Sequence, residues 1–422
     1  MTSKKLRATS GVDQGKKAPP NDSSSAAEPE QAGLLFPVEP EAPELLSNSN
    51  PEHEVPLSEE SREPEELLLP SHNEAKALCN FAAQIRALAP WQWMEETDVF
   101  GVEDPDTHEI GFVSVMGNVG EYEAVAVYPG AEGLYGFIDF QTDPSATQDR
   151  LIEIPQVQVS FSEPKFLEKR DRELLKGVGL KFAGAKPLFR SYRPGFLPWF
   201  ITLKEARLLI HALSQTLEVA KRFANEAVIF PNDGDGETVP FLVRVSHTEG
   251  TSHKEDTESR TPTGLLWEDQ IKRISRPTHP PIETSIDWVL LSSLKSIPLS
   301  AMQLEADLFI GPGRIGKPQE RPLALYMLML ADRLTGIIFG FEALSAEVSL
   351  NTMYASIPET VARLLLQSKV LPKQIIVRSV LLLNLLGPLE KELKIQLRCT
   401  NELPAVEEAA AAMAQFLTTG KM

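Results

Sequence analysis

The stretches 301–310 (AMQLEADLFI), 323–330 (LALYMLML) and 337–344 (IIFGFEAL) decide the fold of the C-terminal part of the chain. Each is a short apolar run of strand length, and turn-forming Gly, Pro or charged residues separate the runs. A helix, a strand, a helix, a strand and a final helix are predicted after them, over 356–365, 374–378, 380–393, 395–399 and 404–417. The predicted order is therefore βββαβαβα, an α/β domain over residues 285–420.

This order resembles that of ribonuclease H-like folds. The run 328–344 (LMLADRLTGIIFGFEAL) also resembles the second and third strands of integrase-type catalytic cores, where a strand ends in Asp, a polar turn follows and an apolar strand returns. The resemblance implies metal-binding carboxylates at set positions. One of those positions, the end of the fourth strand, carries Ser379 here.

Two-metal phosphoryl transfer requires several carboxylates around two divalent ions ~4 Å apart. Asp307 lies on the first predicted strand, Glu305 lies two residues earlier on the same strand face, and Glu407 or Glu408 could supply a third carboxylate from the last helix. A hydroxyl at the end of the fourth strand cannot replace a carboxylate charge, and Arg378 would repel a cation. The sequence therefore favours a scaffold with no metal or cofactor, and a divalent-metal nuclease using Asp307, Glu305 and Glu407 is the alternative.

Residues 71–247 are predicted to form an α+β domain. A helix with one apolar face is expected from Ser71 to Pro90, which ends it. Three apolar runs then predict an antiparallel meander, over 98–103, 109–116 and 122–128. The segment 241–246 is expected to close this domain as a strand.

Two further helices of this domain are predicted from their N-terminal caps. Ser162-Glu163-Pro164 follows a strand and has the composition of an N-cap and first turn, with Gly177 as the expected end. Thr202 and Glu205 have the spacing of a capping box ahead of a long amphipathic helix.

The segment 189–200 (FRSYRPGFLPWF) interleaves arginines with aromatic side chains. Its candidate binding residues are Arg190, Tyr192, Arg193 and Trp199. Such a composition stacks bases and neutralises phosphates, but proline and glycine make an ordered packing loop equally natural. Both interpretations remain open from sequence: a packing loop, or a recognition surface for protein, peptide or nucleic acid.

The strings 90–117 (PWQWMEETDVFGVEDPDTHEIGFVSVMG) and 192–207 (YRPGFLPWFITLKEAR) resemble the hallmark segments of an uncharacterised bacterial family. That family joins two domains of unknown function in this order, and residues 323–344 with 374–417 resemble its second domain. The resemblance implies no activity.

Composition limits the location of the chain and its partners. The formal charge is −18 over 422 residues, and residues 1–70 are predicted to be a disordered acidic arm because they lack enough apolar residues for a core. A linker with a short amphipathic piece at 264–274 is expected over 248–284. The histidines and the two cysteines are scattered and form no zinc-binding motif. The small number of cysteines is typical of a protein of the reducing cytoplasm. No apolar run approaches ~18 residues, so no membrane partner is expected.

The glycine-rich stretch 311–317 (GPGRIGK) matches the spacing of a phosphate-binding loop. Pro318 stands where that motif requires a magnesium-binding hydroxyl, and a strand is predicted to follow rather than a helix. A connection between two strands therefore explains the stretch better.

The functional hypothesis is a non-catalytic binding or scaffolding protein with a protein or nucleic-acid partner. A nuclease and a small-molecule sensor acting through the first domain are the alternatives.

Overall fold

The computed structural model describes residues 68–118, 120, 122–143, 146, 148–225, 238–247 and 265–419. The predicted arm, apart from residues 68–70, and the polar stretch 248–263 lie outside the described residues. In the described part the chain is a mixed α/β structure with two sheets and eight α-helices. None of the described helices has both the length and the apolar character needed to cross a membrane.

The first sheet has seven strands in the order β5-β4-β3-β2-β1-β6-β7. They are β1 (Phe100–Glu103), β2 (Ile110–Met116), β3 (Ala124–Pro129), β4 (Gln156–Ser162), β5 (Lys186–Tyr192), β6 (Thr238–His247) and β7 (Leu266–Ser275). Neighbours from β1 to β5 pair antiparallel, so the predicted meander is confirmed. β6 pairs parallel with β1, and β7 pairs antiparallel with β6.

Four helices accompany this sheet: α1 (His72–Leu88), α2 (Gly130–Thr142), α3 (Lys169–Val178) and α4 (Leu203–Asn225). α1 and α4 cover one face and bury the valines that alternate along the central strands. α2 packs on the opposite face, against Phe112 and Tyr128. The helix expected from the apolar face after Ser71 is confirmed, and its capping box forms between Ser71 and Glu74. The box of Thr202 and Glu205 also forms.

Three predictions in this part of the chain are wrong. α3 begins at Lys169, with Glu168 as the N-cap residue, and the predicted signature Ser162-Glu163-Pro164 opens only a short 3-10 turn over Pro164–Phe166. It passes Gly177 and ends where Gly179 takes the left-handed conformation, φ 74°. The amphipathic piece assigned to the linker is β7, which pairs along its length with β6 and belongs to the first sheet. Alternating exposed and half-buried residues are what an edge strand requires.

The second sheet has the order β10-β9-β8-β11-β12. Its strands are β8 (Gln303–Ile315), β9 (Leu323–Asp332), β10 (Ile338–Leu344), β11 (Gln374–Val377) and β12 (Gln396–Cys399). Its helices are α5 (Trp288–Lys295), α6 (Leu350–Ser368), α7 (Val380–Leu393) and α8 (Pro404–Thr419). β8, β9 and β10 are antiparallel, and β11 runs parallel to both β8 and β12. α6 and α7 share a core with one face of the sheet, and α8 covers β8 and β9 on the other.

The boundaries of this region differ from the predicted ones at two places. α6 begins at Leu350, with Ser349 as the N-cap, so Ser356 lies inside the helix and its hydroxyl donates to the Met353 carbonyl at 2.7 Å. The predicted start of this helix at residue 356 is therefore wrong. β8 extends through the glycine-rich stretch to Ile315 with a bulge, and the chain returns as the strand β9. α7 continues across Pro388 without a break.

The segment 189–200 joins the two sheets. After β5 it turns back, so that Ser191 and Trp199 exchange two backbone hydrogen bonds of 2.8 and 2.9 Å. The turn between them contacts the start of β9. Ala324 N donates to Gly195 O at 3.0 Å, and Leu197 N donates to Pro322 O at 2.9 Å. The segment is therefore a packing element between the sheets.

We expect Gly195→Ala to lower the free energy of unfolding by about 2–5 kcal/mol in urea denaturation. Gly195 has a φ of +85°, and a Cβ there would lie 2.6 Å from the Cβ of Ala346. A left-handed backbone costs other residues about 1–2 kcal/mol, and the overlap adds about 1–3 kcal/mol.

Gly179→Ala is the matched control for this variant. Gly179 has a φ of +74°, and a Cβ at this position would have no atom within 4 Å. Its variant should therefore lose only the free energy needed to hold alanine in a left-handed backbone conformation. Equal losses in the two variants would mean that the close contact between the sheets does not form in solution.

Candidate functional site

A cleft of about 450 Å³ lies between the two sheets. One wall consists of α2 and the following segment 146–154. The other consists of the middle of β8 and the residues that follow β11, with the first turns of α7 and α8. The candidate carboxylates Asp307 and Glu407 line this second wall together with Arg378 and Ser379. The sheet topology thus brings these four residues together, as sequence reasoning required of a site at this position.

The first wall depends on the close approach of α2 to the sheet. At Gly133 a Cβ would lie 2.9 Å from the carbonyl oxygen of Pro155, and at Gly136 it would lie 3.2 Å from Ile154. Glycine at these positions lets the helix pack against β3 and the segment before β4, and this places Asp139 and Phe140 in the cleft. The same glycines weaken the helical signal, so the sequence did not predict α2.

Glu305, the second candidate metal ligand, is fully buried and engaged elsewhere. One carboxylate oxygen accepts from Arg333 at 2.9 Å. The other accepts from the backbone N–H groups of Ala405 and Val406 at 2.8 and 3.1 Å, in the first turn of α8. A carboxylate at a helix N-terminus satisfies amides that have no partner within the helix. Glu305 therefore anchors α8 to the sheet and does not line the cleft.

Arg378 lies between the other two candidate carboxylates. Its guanidinium Nε is 3.3 Å from Asp307 Oδ2, and a terminal nitrogen is 2.8 Å from Glu407 Oε1. The parallel register, in which Val377 pairs with Ala306, brings Arg378 beside Asp307. The side chains of Asp307 and Arg378 are 12% and 18% exposed, and that of Glu407 is 51% exposed. A cation of the protein itself therefore occupies the space between the carboxylates.

Ser379 has a structural role at the same position. Its hydroxyl accepts from Leu382 N at 3.0 Å and caps α7. Across the described ranges, no three His, Cys, Asp or Glu side chains are grouped so as to hold a metal ion.

The opposite wall of the cleft carries its own ion pairs. Arg150 and Glu153 are 2.9 Å apart, and both oxygens of Asp139 lie 2.8 Å from Arg276. Glu153 also accepts from the Tyr354 hydroxyl at 3.0 Å, which links the second sheet to the first. Burial, with a further contribution from Glu153, raises the pKa of Tyr354 well above its usual value, so this phenol remains a neutral donor.

The cleft is acidic as a whole. Its lining contains five carboxylates and two guanidinium groups: Asp139, Asp143, Glu153, Asp307, Glu407, Arg150 and Arg378. Phe140, Phe309 and Val380 add apolar surface between the charges. Such a site attracts cationic groups with an apolar body and repels phosphate backbones.

The candidate binding residues of the segment 189–200 lie at the sheet junction. Arg190 is buried and forms two 2.8 Å bonds to Asp171. Tyr192 is buried in the core of the second sheet and its hydroxyl accepts from Gln158 at 2.7 Å. Arg190 and Tyr192 therefore cannot meet a partner on a surface, and the recognition hypothesis is corrected for them.

The other two residues of the segment are partly exposed. Arg193 lies 3.5 Å from Glu205, a long ion pair near the start of α4. Trp199 is half-buried, and its ring meets the Phe200 ring edge-on with centroids 5.0 Å apart. These contacts are internal to the chain and fit a packing role.

Sequence reasoning missed the first wall of the cleft. Arg150 and Glu153 have the i,i+3 spacing of a helical ion pair, a signal too common to mark a site. The position of Arg378 between two acids depends on strand register, which no local pattern of the sequence expresses. The thiol of Cys79 gives no nucleophile, because burial raises its pKa to about 12.

Comparison with known families gives two matches. A model described as a domain of unknown function (DUF7309) matches residues 76–244, and a second, described as a domain of unknown function (DUF6930), matches residues 290–414. No curated protein and no solved structure matches the chain.

We expect Glu305→Gln to lower the free energy of unfolding by about 2–4 kcal/mol. The amide keeps the volume of the carboxylate but loses the charge that serves Arg333 and the α8 amides in a buried setting. Glu407→Gln should cost less than about 1 kcal/mol, because that side chain is half exposed. Denaturant unfolding of both variants measures the two losses of stability. Similar losses would contradict the roles assigned here, in which Glu305 anchors α8 and Glu407 is a surface carboxylate.

Proposed function

We propose that this chain, which belongs to an uncharacterised family joining two domains of unknown function, is a non-catalytic binding or scaffolding protein. Its proposed binding site is the cleft between the two sheets. A cytoplasmic location is part of the proposal, supported by two free cysteines in a chain of 422 residues.

The observation that carries the proposal is the position of Arg378. A two-metal site needs carboxylates that are open to cations, whereas here the Asp307 and Glu407 carboxylates already face a guanidinium at 3.3 and 2.8 Å. Glu305 is committed to α8 and Arg333. An ion would have to displace Arg378 and leave its charge without a partner, which is costly in a partly buried site.

We further propose that the second sheet with α6, α7 and α8 is a ribonuclease H-like scaffold. Support comes from the element order from β8 to α8, which is strand, strand, strand, helix, strand, helix, strand, helix. The cleft lies at the end of β11, beside Asp307 of β8, where such folds carry their metal ligands. The proposal is thus a scaffold of this kind whose metal position is occupied by arginine.

The proposed partner is a protein that offers a cationic segment, rather than a nucleic acid. The excess of carboxylates in the cleft opposes a phosphate backbone and attracts lysine or arginine side chains. A small molecule is a second candidate ligand, which the volume of about 450 Å³ favours. Unlike the sensor considered from sequence, that ligand would contact both sheets.

We expect no shift in melting temperature with Mg²⁺ or Mn²⁺, and no hydrolysis of single- or double-stranded DNA or RNA. An ion that binds only the folded state stabilises it by mass action, so the absence of a shift reports that no site for these divalent ions is open. Asp307→Asn should be neutral or cost about 1 kcal/mol, because Arg378 keeps Glu407 as a partner.

The comparison of wild type with Asp307→Asn makes this test decisive. A contaminating nuclease would act in both preparations. Cleavage that is present in the wild type and absent in Asp307→Asn would overturn the non-catalytic proposal and establish the nuclease alternative.

The nature of the partner is tested by affinity capture from native lysate, with and without nuclease treatment. We expect capture of a specific protein that survives nuclease and weakens when cleft carboxylates are neutralised in Asp143→Asn and Glu407→Gln. Lys391→Gln, an exposed site outside the cleft lining, is the control. Loss of all bound material after nuclease treatment would show a nucleic-acid partner instead.

A further inference from the structure

A concentration of positive charge in this acidic chain surrounds α3. Residues 165–186 contain seven Lys or Arg side chains and three acidic ones, a net charge of +4 in a chain of −18. Five of the basic residues are exposed and define the α3 basic stripe: Lys165, Lys169, Arg172, Lys176 and Lys181.

Helical geometry aligns these charges. Lys169, Arg172 and Lys176 are spaced i, i+3 and i+7, which places them on one face of α3. Leu174 and Leu175, on the other face, pack against the core beneath α1. The stripe is therefore held outward by the packing of the helix, and its charges cannot turn away from solvent together.

The stripe lacks enough acidic neighbours to neutralise it. Lys165 is 3.1 Å from Glu163, and Lys169 is 3.9 Å from Glu173, but all four side chains are well exposed. Asp171 is committed to buried Arg190. Exposed pairs of this kind contribute little and leave most of the positive potential in place.

A strongly acidic segment of the same chain is attached nearby. Residues 34–67 contain ten acidic side chains and one arginine, a net charge of −9. The described chain starts at Leu68, whose carbonyl accepts from Leu203 N at 2.7 Å, and α1 follows from His72. α1 packs directly against α3. A random-coil chain of 34 residues spans about 30 Å, and α1 is about 25 Å long, so the stripe is within reach.

We propose that the acidic segment 34–67 docks on the α3 basic stripe of its own chain. The net charges of −9 for residues 34–67 and +4 for residues 165–186, which contain the stripe, supply the attraction, and the connection through α1 supplies a high effective concentration. The contact shields the stripe from other polyanions. It weakens as salt rises, because the screening length falls from about 10 Å at 0.1 M to about 3 Å at 1 M.

Carbodiimide cross-linking of the full chain tests this, because it joins only carboxylates and lysine amines that are in contact. We expect links from residues 34–67 to Lys169, Lys176 and Lys181 at several times the yield to three exposed lysines elsewhere, Lys204, Lys373 and Lys391. The excess should disappear at about 1 M salt. Equal yields at both sets of lysines would overturn the proposal.

A charge reversal extends the test while leaving other lysines to report. Lys176→Glu should reduce links to Lys169 and Lys181 at least twofold, whereas Lys204→Glu, an equal change of charge on α4, should leave them unchanged. Mixing isotopically heavy and light chains shows whether links are intramolecular; links mainly between chains would overturn docking on the same chain. Background links combined with Lys176-dependent binding of a single-stranded oligonucleotide would also overturn it and assign the stripe to nucleic acid.

Discussion

The bridge from Arg378 to Asp307 and Glu407 is the interaction on which the second wall of the cleft depends. It ties the end of β11 to β8 and to the first turns of α8, at distances of 3.3 and 2.8 Å. Without a cation between them, two carboxylates on neighbouring elements would repel each other, and α8 would lose one of its attachments to the sheet. The second attachment is Glu305, which caps the same helix from the buried side of the strand. Two acids two residues apart on β8 thus stabilise α8 by different means, and neither is left to bind a metal.

The cleft exists because the sheets are held in contact. Gly195 and Leu197 form backbone bonds at the start of β9, Tyr354 reaches Glu153, and Arg321 donates to Ser191 at 2.9 Å. The first and third of these contacts involve the aromatic segment 189–200, and the second joins α6 to the segment that follows α2. The spacing of the two walls follows from this junction.

Local patterns predicted most of the strands and many of the helix ends, because alternation and capping chemistry act over a few residues. β8, β9 and β10 follow from apolar runs, and α4 from Thr202 and Glu205.

The predictions that failed have physical causes. α2 contains glycines that its close packing against Pro155 and Ile154 requires. Because glycine has a low helix propensity, the local sequence does not predict this helix. β7 is an edge strand stabilised by pairing with β6, and its polar face resembles a linker. Ser356 is of a residue type that is common at N-caps, but Ser349, about two turns earlier, is the N-cap of α6.

Site residues were harder to predict than elements, since a site depends on register and on the junction. The sequence offered Asp307 and Glu407 only as candidate carboxylates, and whether Arg378 would point toward them or away depended on the parallel pairing of β11 with β8. Arg190 and Tyr192 looked like a surface because arginine beside an aromatic residue is common at interfaces. Their neighbours Asp171 and Gln158 are 19 and 34 residues away in sequence, beyond the reach of any local pattern.

The uneven distribution of charge makes the two proposals compatible with each other. The acidic segment 34–67 and the acidic cleft repel each other, so the segment cannot block the proposed binding site by electrostatic attraction. The α3 basic stripe, by contrast, attracts that segment and would otherwise attract any polyanion. If both proposals hold, shielding of the stripe would suppress competing nucleic acid while the cleft remained open to a cationic partner. Selectivity then arises from repulsion at one surface and occupation of another, rather than from attraction at the cleft alone.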